Sequence, residues 1–221
     1  MYVKMQDLWR KYMHSHPNFK CYFIKLYPNL ENDMEIDEDT IYFKGDPTII
    51  PGVLIKTISA IKYALDNFDF DYVLRTNLTS VFNFNKAYSV LNRYKNDNTY
   101  KYDYSGFGIG HFADGTFDYA NGCAMILSKK TCQELIVSQD FVDHGLQDDC
   151  AIGQLFTLKL GYTIENLGHF RYDVDDIDDC LYTLNHVPKC KDVFHFRCKK
   201  YDDYTNTLYF MEYMINHIYF S

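Results

Sequence analysis

The stretch DYVLRTNLTSVFNF, Asp71 to Phe84, decides how this chain is read. Tyr72, Val73 and Leu74 are residues of the kind that fill a covered β-strand, and the polar run Arg75-Thr76-Asn77 ends it. Such a strand delivers polar side chains to its carboxyl end. In open α/β sheets ligands bind outside that end, so Arg75, Thr76, Asn77, Thr79 and Ser80 form a candidate site lip. The plainer alternative is an ordinary exit from strand to loop.

Working outward, GVLIKTISAIKYALDN just upstream is the clearest helix, because Leu54, Ile58, Ile61 and Leu65 recur at helical spacing. Upstream of it, QDLWRKYMHSHP reads as a helix, and FKCYFIKLY and TIYFKG as strands. The acidic run ENDMEIDEDT separates those two strands. Downstream, NKAYSVLNRYK, KKTCQELIVS (capped by Ser128) and DDCAIGQLFTLKLG (ending at Gly161) read as helices. YANGCAMILS, YTIENL and DVFHFR read as strands, RYDVDDIDDC as an acidic loop, and NTLYFMEYMINHIYF as a final helix. Strands alternating with helices predict an α/β fold, a mixed sheet flanked by helices. No repeat or linker interrupts it, so residues 1–221 are expected to form a single domain, long enough to bury roughly 70% of its unfolded surface.

Composition narrows the partners. With 47% hydrophobic and 18% aromatic residues the chain lies outside the disordered range. A formal charge of -8 without clustered Lys and Arg argues against nucleic acid as a partner, whereas a few placed cations still suffice for a small anion. Seven scattered cysteines (Cys21, Cys123, Cys132, Cys150, Cys180, Cys190, Cys198) with no C-x-x-C predict free thiols in a reducing compartment, hence a cytoplasmic location. The sequence has no apolar run of signal-peptide length and none approaching a membrane span.

Five segments then fall into one order: GVLIKT, YVLRTNLTSVF, NGCAMILSKK, LQDDCAIGQLF and HFRCKK. This order, over roughly residues 40 to 200, resembles the GT-A glycosyltransferases of the β-1,3-galactosyltransferase and Fringe type. It is similar above all to viral and bacterial relatives whose strand ends in Arg-Thr-Asn-Leu-Ser/Thr-Ser. The resemblance implies a GT-A-like, Rossmann-like fold. It also implies transfer of a sugar from a nucleotide-sugar donor, a UDP-sugar foremost, to a hydroxyl of a glycan or glycoprotein acceptor. Richness in Asn, Lys, Asp and Tyr suggests an AT-rich genome, and with the strand motif a large DNA virus and a host-cytoplasm or virus-factory setting.

Glycosyl transfer develops positive charge at the anomeric carbon and negative charge on the leaving diphosphate, so two jobs need residues. The resemblance places the general base of an inverting displacement at Asp149. Asp148 is then a cap or acceptor-positioning group. Residue types alone allow the blander role for both acids, capping a helix whose N–H groups favour carboxylates. For the diphosphate, the family's Asp-x-Asp holds Mn²⁺ or Mg²⁺. The matching positions here are Asn77, Leu78, Thr79 and Ser80, all uncharged. A metal is therefore expected to be weakly held or dispensable. His195 matches a family metal ligand, while Arg197 and Lys199 are cations able to stand in for the metal. Alternation with Phe194 and Phe196 puts His195 and Arg197 on one face of a strand, whose blander reading is a solvated edge. Lys56 is a further phosphate candidate. Gly122 marks a close backbone approach to the donor sugar or else a bulge, and Asp103 is an acceptor-side candidate.

Other signals are set aside. Asp69-Phe70-Asp71 is a literal Asp-x-Asp but precedes the strand, at its wrong end. Asn77-Leu78-Thr79 is a sequon that a reducing-compartment chain would not use. His186, Cys190, His195 and Cys198 lack zinc-site spacing, and DVDDIDD lacks the glycine and terminal Glu of a calcium loop. Family members usually open with an apolar strand ahead of the Trp-Arg-x-Tyr helix, whereas this sequence opens at DLWRKY, so the expectation is either that this nucleotide-supporting strand has been lost or that the chain is a shortened form. Two rival functions follow: a degenerate glycosyltransferase domain that binds glycan or partner without turnover, and a metal-binding module built on the His/Cys cluster.

Overall fold

The computed structural model describes residues 1–96, 103–174, 193–198 and 204–220. Lys199, His186, Cys190 and most of the acidic loop after Val174 lie outside the described residues. The fold is mixed α/β, with several mixed sheets flanked by helices. It divides into two compact units. One comprises Met1–Cys21, Thr76–Lys101 and Leu167–Ser221, and the other Tyr22–Arg75 and Tyr102–Asn166. The division falls inside the strand quoted at the outset.

The second of these units contains two sheets and a hairpin. Strands β1 (Phe23–Tyr27), β2 (Met34–Asp37) and β3 (Thr40–Lys44) take the order β1-β3-β2, with β3 parallel to β1 and antiparallel to β2. All four residues of β2 are exposed, so no apolar alternation marks it, and the acidic run holding it was expected to be a separator. The main sheet is built on β4 (Tyr72–Thr76), β6 (Tyr104–Gly106), β9 (Ala124–Ser128) and β10 (Glu165–Asn166), in the order β10-β6-β9-β4. Ala124, Met125, Ile126 and Leu127 are completely buried, as a central strand requires. Helix α2 (Gly52–Asn67) covers it with the stripe Leu54, Ile58 and Ile61. Cys132 and Leu135 of α4 (Lys129–Val137) join that stripe, as do Ile152, Leu155 and Phe156 from residues 148–159. Each such side chain contributes about 1.5–3 kcal/mol on burial.

Between β6 and β9 the chain forms the antiparallel hairpin β7 (Ile109–His111) and β8 (Asp118–Ala120). YANGCAMILS, expected as one strand, is therefore two, β8 and β9, split by a turn at Asn121-Gly122-Cys123. Helix α5 (Asp148–Gly153) rests on β8. A Cβ on Gly153 would lie 2.2 Å from Tyr119 Cβ, so only glycine permits this approach. The helix then widens into a π segment, Gln154–Lys159, with Leu160 N–H donating to the Leu155 carbonyl at 3.0 Å.

The other unit holds α1 (Tyr2–Arg10), β5 (Ser80–Phe82), α3 (Phe84–Asn96), β11 (Arg171–Asp173), β12 (His195–Arg197) and α6 (Tyr204–Tyr219). β12 lies centrally, parallel to β11 and antiparallel to β5, so it is not the solvated edge weighed above. Phe194, His195 and Phe196 are at most 1% exposed. Aromatic side chains pack against one another here. Tyr12 stacks on Phe84 and Tyr219, Trp9 Nε1–H donates to the Leu78 carbonyl at 3.0 Å, and Tyr219 O–H donates to Phe82 O at 2.5 Å. Among the described residues no helix is long and apolar enough to cross a membrane.

Candidate functional site

The sequence candidates gather into two clusters, one in each unit. In the first, the turn after β4 folds around the Asn77 side chain. Its Oδ1 accepts from Thr79 O–H at 3.0 Å, from Ser80 O–H at 3.3 Å and from the Arg197 guanidinium. The pairing of β5 with β12 creates this convergence by setting Ser80 opposite Arg197. Thr76 O–H donates to the Asn77 carbonyl at 3.4 Å, and Cys198 N–H to the Thr79 carbonyl at 2.8 Å. Beneath them Ser80 Oγ lies 3.0 Å from His195 Nε2, and the imidazole stacks on Phe82 with centroids 4.5 Å apart. Ser80 and His195 are both completely buried. Burial holds the imidazole well below the usual histidine range, and the nearby guanidiniums of Arg171 and Arg197 add to that shift, so His195 is neutral. Arg171, which ion-pairs with Asp173 at 2.5 Å, carried no sequence signal.

These residues do not fit a divalent cation. Asn77 Oδ1 already takes three donors, two of them the Thr79 and Ser80 hydroxyls of the same segment and the third a cation that would repel a metal. Among the described residues no group of three or more His, Cys, Asp or Glu converges to hold a metal ion.

The second cluster is assembled from β4, α2, α5 and the β8–β9 turn. Arg75 Nη2 lies 2.5 Å from Asp148 Oδ2, and Nη1 donates to the Gly122 carbonyl. Asp148 Oδ2 also accepts from Thr57 O–H at 3.2 Å. Asp148 is 5% exposed, its Oδ2 shared by Arg75 and Thr57, whereas its neighbour Asp149 is only partly buried. Asp149 Oδ2 accepts from Gly122 N–H at 2.8 Å, and Oδ1 from its own helix at Cys150 N–H, 2.9 Å. Two adjacent acids thus have different surroundings, one a buried ion pair and the other a partly buried carboxylate held by two backbone N–H groups. Sequence reasoning quoted GVLIKT, which ends at Thr57, but did not assign Thr57 as a partner of Asp148, a contact across 91 residues that no local pattern encodes. Gly122 does mark a close approach, but to Asp149 and Arg75 and within a turn.

Lys56, one residue before Thr57, is half-buried beside Arg75 and Asp148. Burial lowers its ammonium below the ordinary lysine range, Arg75 lowers it further, and Asp148 partly offsets both. The folded state therefore disfavours the charged form, a penalty present at neutral pH and relieved as pH rises toward the ordinary lysine value of 10.5. Lys56→Met is expected to stabilise the protein by about 0.5–1 kcal/mol at pH 7, with a gain that shrinks in alkaline buffer. Urea melts at pH 7 and 10 check this, and a destabilised variant at pH 7 would contradict it.

The remaining candidates have structural partners. Asp69 is exposed and pairs with Lys129 at 2.9 Å, and Asp103 accepts from Ser128 O–H at 3.0 Å at the start of α4. Compared with protein-family models and with curated proteins, the chain matches none.

Proposed function

We propose that this chain is a GT-A-like glycosyltransferase that moves a sugar from a nucleotide-sugar donor to a glycan hydroxyl with inversion. The observation that carries the reading is the division of labour between Asp148 and Asp149. One acid is buried against Arg75 and Thr57; the other is partly exposed and oriented by two backbone N–H groups. A general base needs such a carboxylate, fixed in direction and open to its substrate. In the proposed reaction Asp149 takes the proton of the acceptor hydroxyl. That oxygen bonds to the anomeric carbon as the bond from carbon to the diphosphate oxygen breaks, and the electron pair leaves with the nucleotide. For the negative charge of the leaving diphosphate, the sequence offers Arg197 and Lys199 in place of a metal.

The test is calorimetric titration with nucleotide sugars, UDP-sugars first, in Mn²⁺ and again in chelator, followed by assay of released nucleotide with glycan acceptors. Micromolar binding that survives chelation, with turnover, is the expected result. Binding that requires Mn²⁺ would overturn the metal-independent part, and absence of both binding and turnover would overturn the whole. A second reading, a binding domain without turnover, draws on the internal engagement of Asn77, Ser80 and His195. Binding without nucleotide release in any acceptor mixture would favour it.

A further inference from the structure

Gly122 is held from both of its polar groups. Its N–H donates to Asp149 Oδ2 at 2.8 Å and its carbonyl accepts from Arg75 Nη1. A Cβ at this position would stand 2.8 Å from Asp149 Oδ2 and 3.2 Å from Arg75 Nη1, so those two atoms are no more than 6.0 Å apart. The turn anchors its flanks independently. Asn121 N–H donates to Gly108 O at 2.9 Å, Cys123 N–H to Asn121 Oδ1 at 3.1 Å, and Ala124 N–H to Asn121 O at 3.3 Å. The Gly122 carbonyl itself has no partner but Arg75 among the described residues. Its N–H and its carbonyl lie in successive peptide planes that hinge at the glycine's own φ and ψ, the least restricted in the turn, so Arg75 on the carbonyl and Asp149 on the N–H together restrain that hinge.

Arg75 is suited to that job. Its side chain is 18% exposed, and its planar fork is closed on one side by Asp148, which Thr57 holds in turn. A guanidinium so engaged is poorly placed to reach for a phosphate as well. We propose that Arg75 is a positioning residue that aims Asp149 through the Gly122 backbone, and that it is not a ligand of the donor diphosphate. The inference rests on the glycosyltransferase reading for the role of Asp149, while the physical link from Arg75 to Gly122 to Asp149 can be measured without it.

Arg75→Met alone would leave Asp148 as an uncompensated buried charge and fail to fold, so the test uses Arg75→Met/Asp148→Leu, in which both charges are replaced by apolar groups of similar size. Asp148→Asn, which keeps Arg75, is the control. The first readout is amide hydrogen exchange at Gly122 by NMR. The double variant is expected to exchange about tenfold faster there, the equivalent of one charge-assisted hydrogen bond, while Asp148→Asn retains protection. The second readout is kinetic: the double variant should lose kcat with the KM for the nucleotide sugar unchanged. Unchanged Gly122 exchange in the folded double variant would overturn the proposal, as would a raised donor KM at constant kcat, the mark of a phosphate ligand. Wild-type protein without turnover would overturn the glycosyltransferase reading only, and the exchange result would then decide the holding role of Arg75 by itself.

Discussion

Asp149→Asn is expected to lower turnover from a nucleotide sugar by about 10²–10⁴-fold, the range that a positioned general base contributes. The asparagine keeps one oxygen for the Gly122 N–H but turns its amide nitrogen toward the Cys150 N–H, a local loss of about 1 kcal/mol that leaves the fold in place. Gly122→Ala supplies an independent route to the same loss. Its new methyl would stand 2.8 Å from Asp149 Oδ2, which must move, and a displacement on the order of 1 Å at a reacting group can cost about 10²-fold. The two variants together separate removal of the base from misdirection of it. Initial rates of nucleotide release, with circular dichroism as a control for folding, are the measurement. Full activity in Asp149→Asn would remove Asp149 from the mechanism.

The second large effect concerns acid stability. His195 is neutral in the folded protein, its imidazole held well below the ordinary histidine value of 6.5 first by burial and then by Arg171 and Arg197. The unfolded chain regains the ordinary value and binds the proton that the folded state refuses. Below pH 6.5 the unfolded state therefore gains up to about 1.4 kcal/mol for each pH unit, until the folded pKa is reached. Stability is expected to fall along that slope as the pH drops. His195→Gln, which keeps a donor toward Ser80, should be less stable at pH 7 yet lack this component. Denaturant midpoints measured from pH 7.5 to 5 give the comparison, and a constant difference between wild type and variant would refute the assignment.

Particular elements show what the sequence made legible. Gly52–Asn67 is helical over the expected span because Leu54, Ile58 and Ile61 all face one core. Ser128 caps α4 as expected, its hydroxyl accepting from Thr131 N–H at 3.2 Å. Strand β5 was hidden, since Ser80–Phe82 is only three residues long and follows a run of turn-forming polar residues. Its partner β12 lies far along the chain, and no local pattern encodes that pairing. Strands β6 and β7, also of three residues, escaped for the same reason. For the site, residue types pointed to the acids and to the strand end, but not to which groups would engage each other. The polar character of Arg75 was visible; its commitment to Asp148 and Gly122 is a tertiary fact. The same holds for Ser80, placed on a ligand-facing lip by its neighbours in sequence and buried beside His195 by the sheet.

The three donors that meet on Asn77 Oδ1 also restrict how this protein could change. Replacing Asn77 by aspartate would supply the carboxylate that a metal site at this position calls for. That carboxylate would arrive already surrounded by Thr79, Ser80 and Arg197, and a fixed guanidinium would neutralise it before any ion could. The single substitution would tighten an internal ion pair. Metal dependence would require Arg197 to be lost as well, and losing it first would remove a cation with nothing yet able to replace it. Each one-step path passes through a form with no new ligand-binding charge, so the arginine arrangement is hard to leave once acquired.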